Sequence, residues 1–426
     1  MAEQVVEKSA PKPKSSETFL HGEYVKFGED QDAYVGFFKH LETGELSCRI
    51  VDNPIVNIWI TSPQYRTYST KREWCLKSEC DEYTTRYLRR GETIWNAINN
   101  CGPGSRYRHM NYVNLRKEMS SPYVYGADID FGVRMKHRFQ LMNGDRKALD
   151  YKVGHLDIET DVNGTNQVIL ITFMNYDGNT YTGILKSFLK GHPIEEVSNL
   201  WYKDVEPKFK SQLNGKATKA YEEADPINLH LQVFDEEVQL IKWIFDNIHL
   251  CRPDFVTIWN MAYDIPYILN RLEFRGIDPT TIFCAPSIAK KYHICKFHHD
   301  TSGEHITDNW SWFHCTDYTR YIDAMCQYGR IRKAKGRDPS YALNAICEKE
   351  IGAGKLHIDD KQTMDHHIAQ RDYPVEYSVY NIVDVALMRV LELKNKDTRT
   401  MMLLIGDSML EEFSKQSAQL KNGLYV

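Results

Sequence analysis

Apolar and polar positions follow two regimes along the chain. From Phe19 to about residue 150, FLHGEYVKF, AYVGFFKHL and IVNIWIT alternate or run apolar and predict strands. TTRYLRRGETIWNAINN, from Thr84, predicts a helix. PYVYGADIDFGVRMKHRFQLM, from Pro122, predicts further strands or a strand with a helical insert. From about 151 to 395 strands and helices alternate, the mark of an α/β domain. Residues 153–160, QVILITFMN and TYTGILKSF predict three consecutive strands joined by hairpins, with Asn163-Gly164 and Asp177-Gly178 at the turns. The Lys-rich stretch from 187 to about 230 reads as a surface insertion. Asp235 is placed as the cap of a helix with a stripe of Val238, Ile241, Phe245 and Ile248. FVTIWN (255–260) predicts a buried strand. A helix is expected from near Asp264, with Pro266 in its first turn and Gly276 just beyond its end. A β-ribbon at about 292–317 turns at Ser302-Gly303. YIDAMCQY, YALNAICEKEIG and residues 375–395 predict helices, and the helical pattern continues to about 417. The plan is a disordered tail (1–18), a first domain (19–150), an α/β domain (151–395) and a C-terminal helical segment (396–426).

Composition changes this picture little. The 426 residues suffice for two or three domains with real cores, and 42% hydrophobic with 26% charged content is ordinary for a soluble globular protein. A net charge of −5 argues against a tight non-specific duplex binder. It does not exclude nucleic acid, because a nuclease that meets phosphate through metal ions can be mildly acidic. The ten cysteines form no Cys-x-x-Cys pair, the first residues carry no apolar run, and no stretch is long enough to span a membrane. A reducing cytoplasm with free thiols fits best. His293, Cys295, His298, His299, His305, His314 and Cys315 lie in one region but lack the pair-plus-pair spacing of a zinc site.

Three places carry candidate chemistry. In VGHLDIET, Asp157 and Glu159 share one face of a strand, with Leu156 and Ile158 on the other. Paired carboxylates repel each other, and a hard divalent cation removes the conflict. Two solvated acids at an exposed strand end would look the same. On the helix of 375–395, Tyr380 and Asp384 are four apart and share a face. The carboxylate can hold a metal while the phenol holds the attacking water, or the two can simply bond each other. Asp264 follows strand FVTIW through a short turn, where a plain N-cap and a turn residue at Asn260 are the ordinary readings. The joint order is what stands out: Asp-x-Glu, then Asn-x-x-Tyr-Asp about a hundred residues on, then Tyr-x-x-x-Asp a similar distance beyond.

In this order the stretches HLDIET, WNMAYDIPYILNRL and YNIVDVALMRVLE resemble the three motifs of the DEDDy 3′–5′ proofreading exonucleases, a fold related to ribonuclease H. With PSYALNAICEKEIGAGKLHID they resemble, more closely, the N-terminal half of a B-family DNA polymerase of the tailed-phage type. The likeness covers roughly 120 to 395, and 19 to 120 loosely. The second motif has two residues between Asn260 and Tyr263 where phage relatives often have three. The resemblance implies an α/β, ribonuclease H-like exonuclease domain with a mixed central sheet, preceded by an α+β N-terminal domain. It implies two divalent cations, Mg²⁺ or Mn²⁺: Asp157, Glu159 and Asp384 hold the first, Asp157 and Asp264 the second. Tyr380 orients the water, Lys355 lies near the scissile phosphate, and Asn260 and Tyr263 contact the substrate. That substrate is a single-stranded 3′ end of DNA at a primer-template.

The basic run Arg330-Ile331-Arg332-Lys333-Ala334-Lys335-Gly336-Arg337 is either a solvated loop or a track for the DNA backbone. Palm and fingers motifs of a complete polymerase do not occur in this sequence, and GDSMLEEF (406–413) is no match. The expected setting is therefore half of a split polymerase in a phage-infected bacterial cytoplasm, beside a second chain carrying palm, fingers and thumb, with a sliding clamp or other replisome proteins in reach and no membrane. A stand-alone exonuclease and a non-catalytic DNA-binding or assembly module are the alternatives. Met401, Leu403, Leu404, Met409, Leu410 and Phe413 either dock on that second chain or pack on their own domain.

Overall fold

Period-two alternation builds the N-terminal strands. In the computed structural model, which describes residues 16–72, 75–99, 121–127, 129, 131–143, 149–301, 303–358 and 365–405, the chain divides into two compact units with the break after residue 147. In the first unit, β1 (Glu17–Lys26), β2 (Asp32–His40) and β3 (Leu46–Asp52) form an antiparallel sheet. A second antiparallel sheet has the order β5 (Cys80–Arg86), β4 (Ile55–Thr61), β6 (Val124–Tyr125). Phe19, Tyr34, Phe38 and Val56 pack with Phe131, Val133 and Met135 of a helix, Phe131–Asn143. Glu17 and Thr18, expected in the tail, already belong to β1. The helix expected from Thr84 begins only at Arg90: Thr84 and Thr85 sit opposite Asn57 and Val56 in β5, where β-branched residues fit the pleat.

The second unit is organised on a six-stranded sheet of order β10-β9-β8-β7-β11-β14. β7 (Val153–Thr160), β8 (Val168–Met174) and β9 (Asn179–Leu185) are the expected hairpin-connected strands, all antiparallel. TYTGILKSF leaves the sheet after Leu185 for a short helix, Lys186–Leu189. β10 (Asn228–Phe234) runs parallel to β9, and β11 (Phe255–Ile258) runs parallel to both β7 and β14 (Arg320–Asp323).

Two helices cover opposite faces of this sheet. On the Ile158, Ile171 and Gly183 face lies αA (Glu237–Cys251). A Cβ on Gly183 would meet Leu240 Cγ at 2.9 Å, so only glycine lets this helix approach. On the Asp157 and Glu159 face lies αD (Pro374–Asn395), buried for most of its length. αA starts at Glu237, and Asp235, expected as its cap, is exposed and faces Lys186 at 3.4 Å. Glu237 itself is buried, bonded by Arg271 (2.6 and 3.0 Å).

The stretch from 187 to 230 is not a surface insertion. Its helices Glu195–Leu200, Glu206–Gln212 and Gly215–Glu222, with the π-helical turn Trp201–Val205 between the first two, bury Trp201, Val205, Phe209, Ala217 and Tyr221 in the main core, and β10 closes the sheet edge. The apolar residues recur every four positions and the lysines occupy the outer face. YID of YIDAMCQY is strand β14, and the helix starts at Ala324. The ribbon is present as β12 (Cys295–His298) paired with β13 (Trp312–Cys315); Ser302, at its expected turn, lies outside the described residues. Past αD, the helix Asp397–Ile405 buries Met401 within this unit, while Leu403 and Leu404 are exposed; Met409, Leu410 and Phe413 lie outside the described residues.

One partly buried pair gives this unit a pH dependence of its own. His249 on αA faces Asp317 Oδ1 (3.1 Å) and the Ile282 carbonyl (2.9 Å). Burial works against its charge, but the two acceptors outweigh it and raise its pKa above 6.5. A raised folded-state pKa contributes stability that is complete below pH 6.5 and is lost as pH rises through the folded value. His249→Gln is expected to cost about 1 kcal/mol at pH 6 and less at pH 8.5, read by urea unfolding.

Candidate active site

The site is assembled at one end of β7. Strand alternation turns Asp157 and Glu159 to the face under αD. On αD, Tyr377, Tyr380, Asn381 and Asp384 fall at i, i+3, i+4 and i+7 and make one polar stripe on an apolar helix. This stripe meets the strand residue by residue. Tyr377 OH donates to Glu159 Oε2 (2.6 Å), and Asn381 Nδ2 donates to Asp157 Oδ2 (2.7 Å). Asp157, Glu159 and Asp384 each offer an oxygen within 4.8 Å of the others. Asp157 and Glu159 are partly exposed, whereas Asp384 is 2% exposed, and its Oδ1 is buried without a hydrogen-bond partner.

Asp264 reaches the same strand from β11. After Trp259, Asn260 takes a left-handed conformation (φ 63°), and αB (Met261–Phe274) begins at once. Asp264 is therefore inside the first turn of αB rather than its N-cap, and Pro266 is deeper in the helix than expected. The freed carboxylate is buried and accepts from Ile158 N (3.3 Å), between the two acids of β7. Asn260 thus has a visible backbone role. Tyr263 is half-exposed beside the cluster, its OH 3.0 Å from Thr160 Oγ1.

Lys355 is the cation of the site. Its backbone N–H donates to Asn344 Oδ1 (2.6 Å), and its Nζ bonds Tyr380 OH (2.7 Å) and Asp384 Oδ2 (2.5 Å). The carboxyls are nonetheless pushed upward. Desolvation, then repulsion from Asp384, Asp264 and Glu159, holds Asp157 well above the usual carboxylate range. Desolvation raises Asp264 likewise, raises Glu159 to about 7 against the Tyr377 hydrogen bond, and raises Asp384 against Lys355. A cluster in this state is short of positive charge.

Three supporting residues escape a reading by motif. Tyr377 and Asn381 orient the carboxylates, and Gln370 Nε2 ties Tyr377 OH (3.2 Å) to the Thr160 carbonyl (2.8 Å). The signal for the first two was present, as polar residues at helical spacing in a buried helix. The basic run is largely committed elsewhere: Arg332 pairs with Asp397, and Lys333 and Arg337 pair with Asp308. In the His- and Cys-rich ribbon, Cys295 faces Cys315 across the strands, and His293 Nε2 lies 2.8 Å from the Ile288 carbonyl. Among the described residues, the set that gathers three metal-ligating atoms is the acid cluster.

A mixed sheet with acids on its central strand, roofed by a helix that supplies another, defines an α/β nuclease of the ribonuclease H-like kind. Residues 124–359 match the family described as DNA polymerase family B, exonuclease domain, over more than half of the chain. The chain belongs to that family. The matched segment contains Asp157, Glu159, Asp264 and Lys355, while Tyr380 and Asp384 lie beyond it and join the site by geometry. No curated protein matches the chain.

Proposed function

We propose that this chain is the 3′–5′ proofreading exonuclease part of a B-family DNA polymerase, hydrolysing terminal nucleotides from single-stranded 3′ ends of DNA. The observation that carries this reading is the convergence of Asp157, Glu159 and Asp384 within 4.8 Å, with a buried Asp384 oxygen left unpartnered. These are hard oxygen donors in excess of nearby positive charge, which fits a divalent cation, Mg²⁺ or Mn²⁺. Asp157, Glu159 and Asp384 would hold one such ion, and Asp157 with Asp264 a second. When bound, the pair supplies hydroxide near neutral pH and counter-charge for the leaving oxygen.

The protein's own groups do the rest. Tyr380 OH, fixed by Lys355 Nζ at 2.7 Å, holds the attacking water. The water oxygen attacks phosphorus, the P–O3′ bond breaks, and a proton passes to the departing 3′ oxygen, releasing a nucleoside 5′-monophosphate. Lys355 also offsets the phosphate charge. The half-exposed Tyr263 ring offers a stacking face to a terminal base, a grip that tolerates any sequence. Asn381 and Tyr377 keep Asp157 and Glu159 oriented; Tyr377→Phe is expected to weaken Mn²⁺ affinity about tenfold by calorimetry, the usual effect of losing a partner that orients a ligand.

The test is a 3′-labelled single strand with Mg²⁺ and with EDTA. Stepwise loss from the 3′ end with Mg²⁺ alone supports the reading; digestion in EDTA, or none with either Mg²⁺ or Mn²⁺, overturns it. DNA synthesis needs palm, fingers and thumb elements, for which the proposed source is a palm-bearing chain in a phage-infected bacterial cytoplasm. Co-purification of such a chain from expressing cells tests that.

A further inference from the structure

The far ends of β7 and αD frame a second cavity, separate from the acids. From Val153 to Asp157 is four residues along the strand, about 13 Å. The cavity measures about 260 Å³ and is lined by Arg389, Lys396 and Arg399, with Tyr151 and Tyr176 on its walls. Arg389 is unusual among these. It is 3% exposed, yet among the described residues its side chain makes one hydrogen bond, from Nη2 to the Asp225 carbonyl (2.9 Å), and its Nε is buried without a partner. No carboxylate lies within ion-pair distance of it among the described residues, and Asp225 and Asp177 act on it only from further away. A buried guanidinium without a counter-ion is costly. Here it borders an open cavity instead of packed core.

The other charges around the cavity sharpen the same sign. Lys396 is exposed and enters no ion pair among the described residues, while Lys152 Nζ lies 4.7 Å above the Tyr176 ring. Two acids line the cavity, and both are engaged. Asp150 pairs with Arg399 (3.3 Å), and the Glu392 carboxylate accepts from Thr398 N (3.1 Å). Burial, then Asp397, also pushes Glu392 up to about 8, so it carries little charge at neutral pH.

We propose that this cavity binds a phosphate monoester, its oxyanion placed between Arg389 and Lys396 and any attached nucleoside against the tyrosine walls. Arginine suits this role because its fork matches two phosphate oxygens. The site is independent of the nuclease reading, since none of its residues belongs to the acid cluster.

The experiment uses the full chain in EDTA, which keeps divalent ions from the acids. Inorganic phosphate and dAMP are titrated separately at constant ionic strength, with chloride as the control anion, and binding is read by calorimetry and thermal shift. Phosphate, dAMP or both are expected to bind where chloride does not. Lys396→Asn, which tolerates the left-handed backbone at that position (φ 53°), is expected to weaken binding about tenfold, whereas Asp157→Ala binds as wild type. Tighter binding of dAMP than of phosphate assigns a nucleotide; equal binding assigns the phosphate group alone. Failure of both probes to bind, binding unchanged in the Lys396→Asn, Arg399→Gln double variant, or binding lost in Asp157→Ala overturns the proposal.

Discussion

Asp157→Ala is expected to remove 3′-end digestion, with a rate loss of at least about 10³-fold, or about 4 kcal/mol of transition-state stabilisation. Asp157 is the one acid that both proposed ion positions share. Its loss is expected to leave the fold intact. In the metal-free protein the carboxyl is crowded by Asp384, Asp264 and Glu159, and desolvation already holds it well above its usual range. Removing it relieves that repulsion and leaves Asn381 Nδ2 without its 2.7 Å acceptor, a cost of about 1 kcal/mol that partly offsets the relief. The thermal midpoint in EDTA is therefore expected to stay within about 3 °C of wild type. Mg²⁺ raises the midpoint of the wild type by mass action and does so far less in the variant. A variant that keeps a tenth of the wild-type rate would remove Asp157 from the active site.

What was legible in the sequence follows from how local each signal is. VGHLDIET showed its bounds because alternation, β-branched neighbours and a hairpin signal all agree there, and the strand is Val153–Thr160. αD was legible because apolar residues recur at helical spacing from Val375 to Leu391. β14 was not, because four residues make a strand only when β11, more than sixty residues away in sequence, pairs alongside. Locally Asp264 looks no different from a plain cap, because strand, turn and Asp before a helix is the ordinary N-cap pattern, and only the resemblance assigns it to a metal. The true helix start is set by the left-handed Asn260, a choice that its residue type permits without announcing. Residues 187–230 were hidden by their lysines, whose number makes the stretch read as polar although every fourth residue, Trp201, Val205 and Phe209 among them, is apolar and buried. The acids themselves were visible as residue types. Their shared destination was visible only through the order of three motifs, since nothing local to Asp157 indicates that Asp384 will stand beside it.

Lys355→Met is expected to separate two things that the wild-type lysine does at once. Its Nζ bonds Asp384 Oδ2 at 2.5 Å and Tyr380 OH at 2.7 Å, and Asp384 is only 2% exposed. Without the ammonium, desolvation acts on Asp384 unopposed, and its folded-state pKa climbs further above 3.8. A carboxyl raised on folding contributes stability at low pH that is lost as pH rises from its unfolded value through its folded one. In EDTA the variant is thus expected to match wild type closely at pH 5, where the carboxyl takes a proton at little cost, and to be about 3 kcal/mol less stable at pH 8. Urea unfolding at the two pH values measures this directly. The second effect concerns catalysis: Tyr380 loses the contact that fixes its hydroxyl, the phosphate loses the counter-charge proposed for Lys355, and digestion with saturating Mg²⁺ is expected to fall about 10²-fold. Tyr380→Phe is expected to slow digestion similarly while leaving the pH-dependent stability difference absent, since the Lys355–Asp384 pair survives in it. If Lys355→Met shows equal stability deficits at pH 5 and pH 8, the ammonium does not neutralise Asp384 in solution, and the charge balance assigned to this site fails with it.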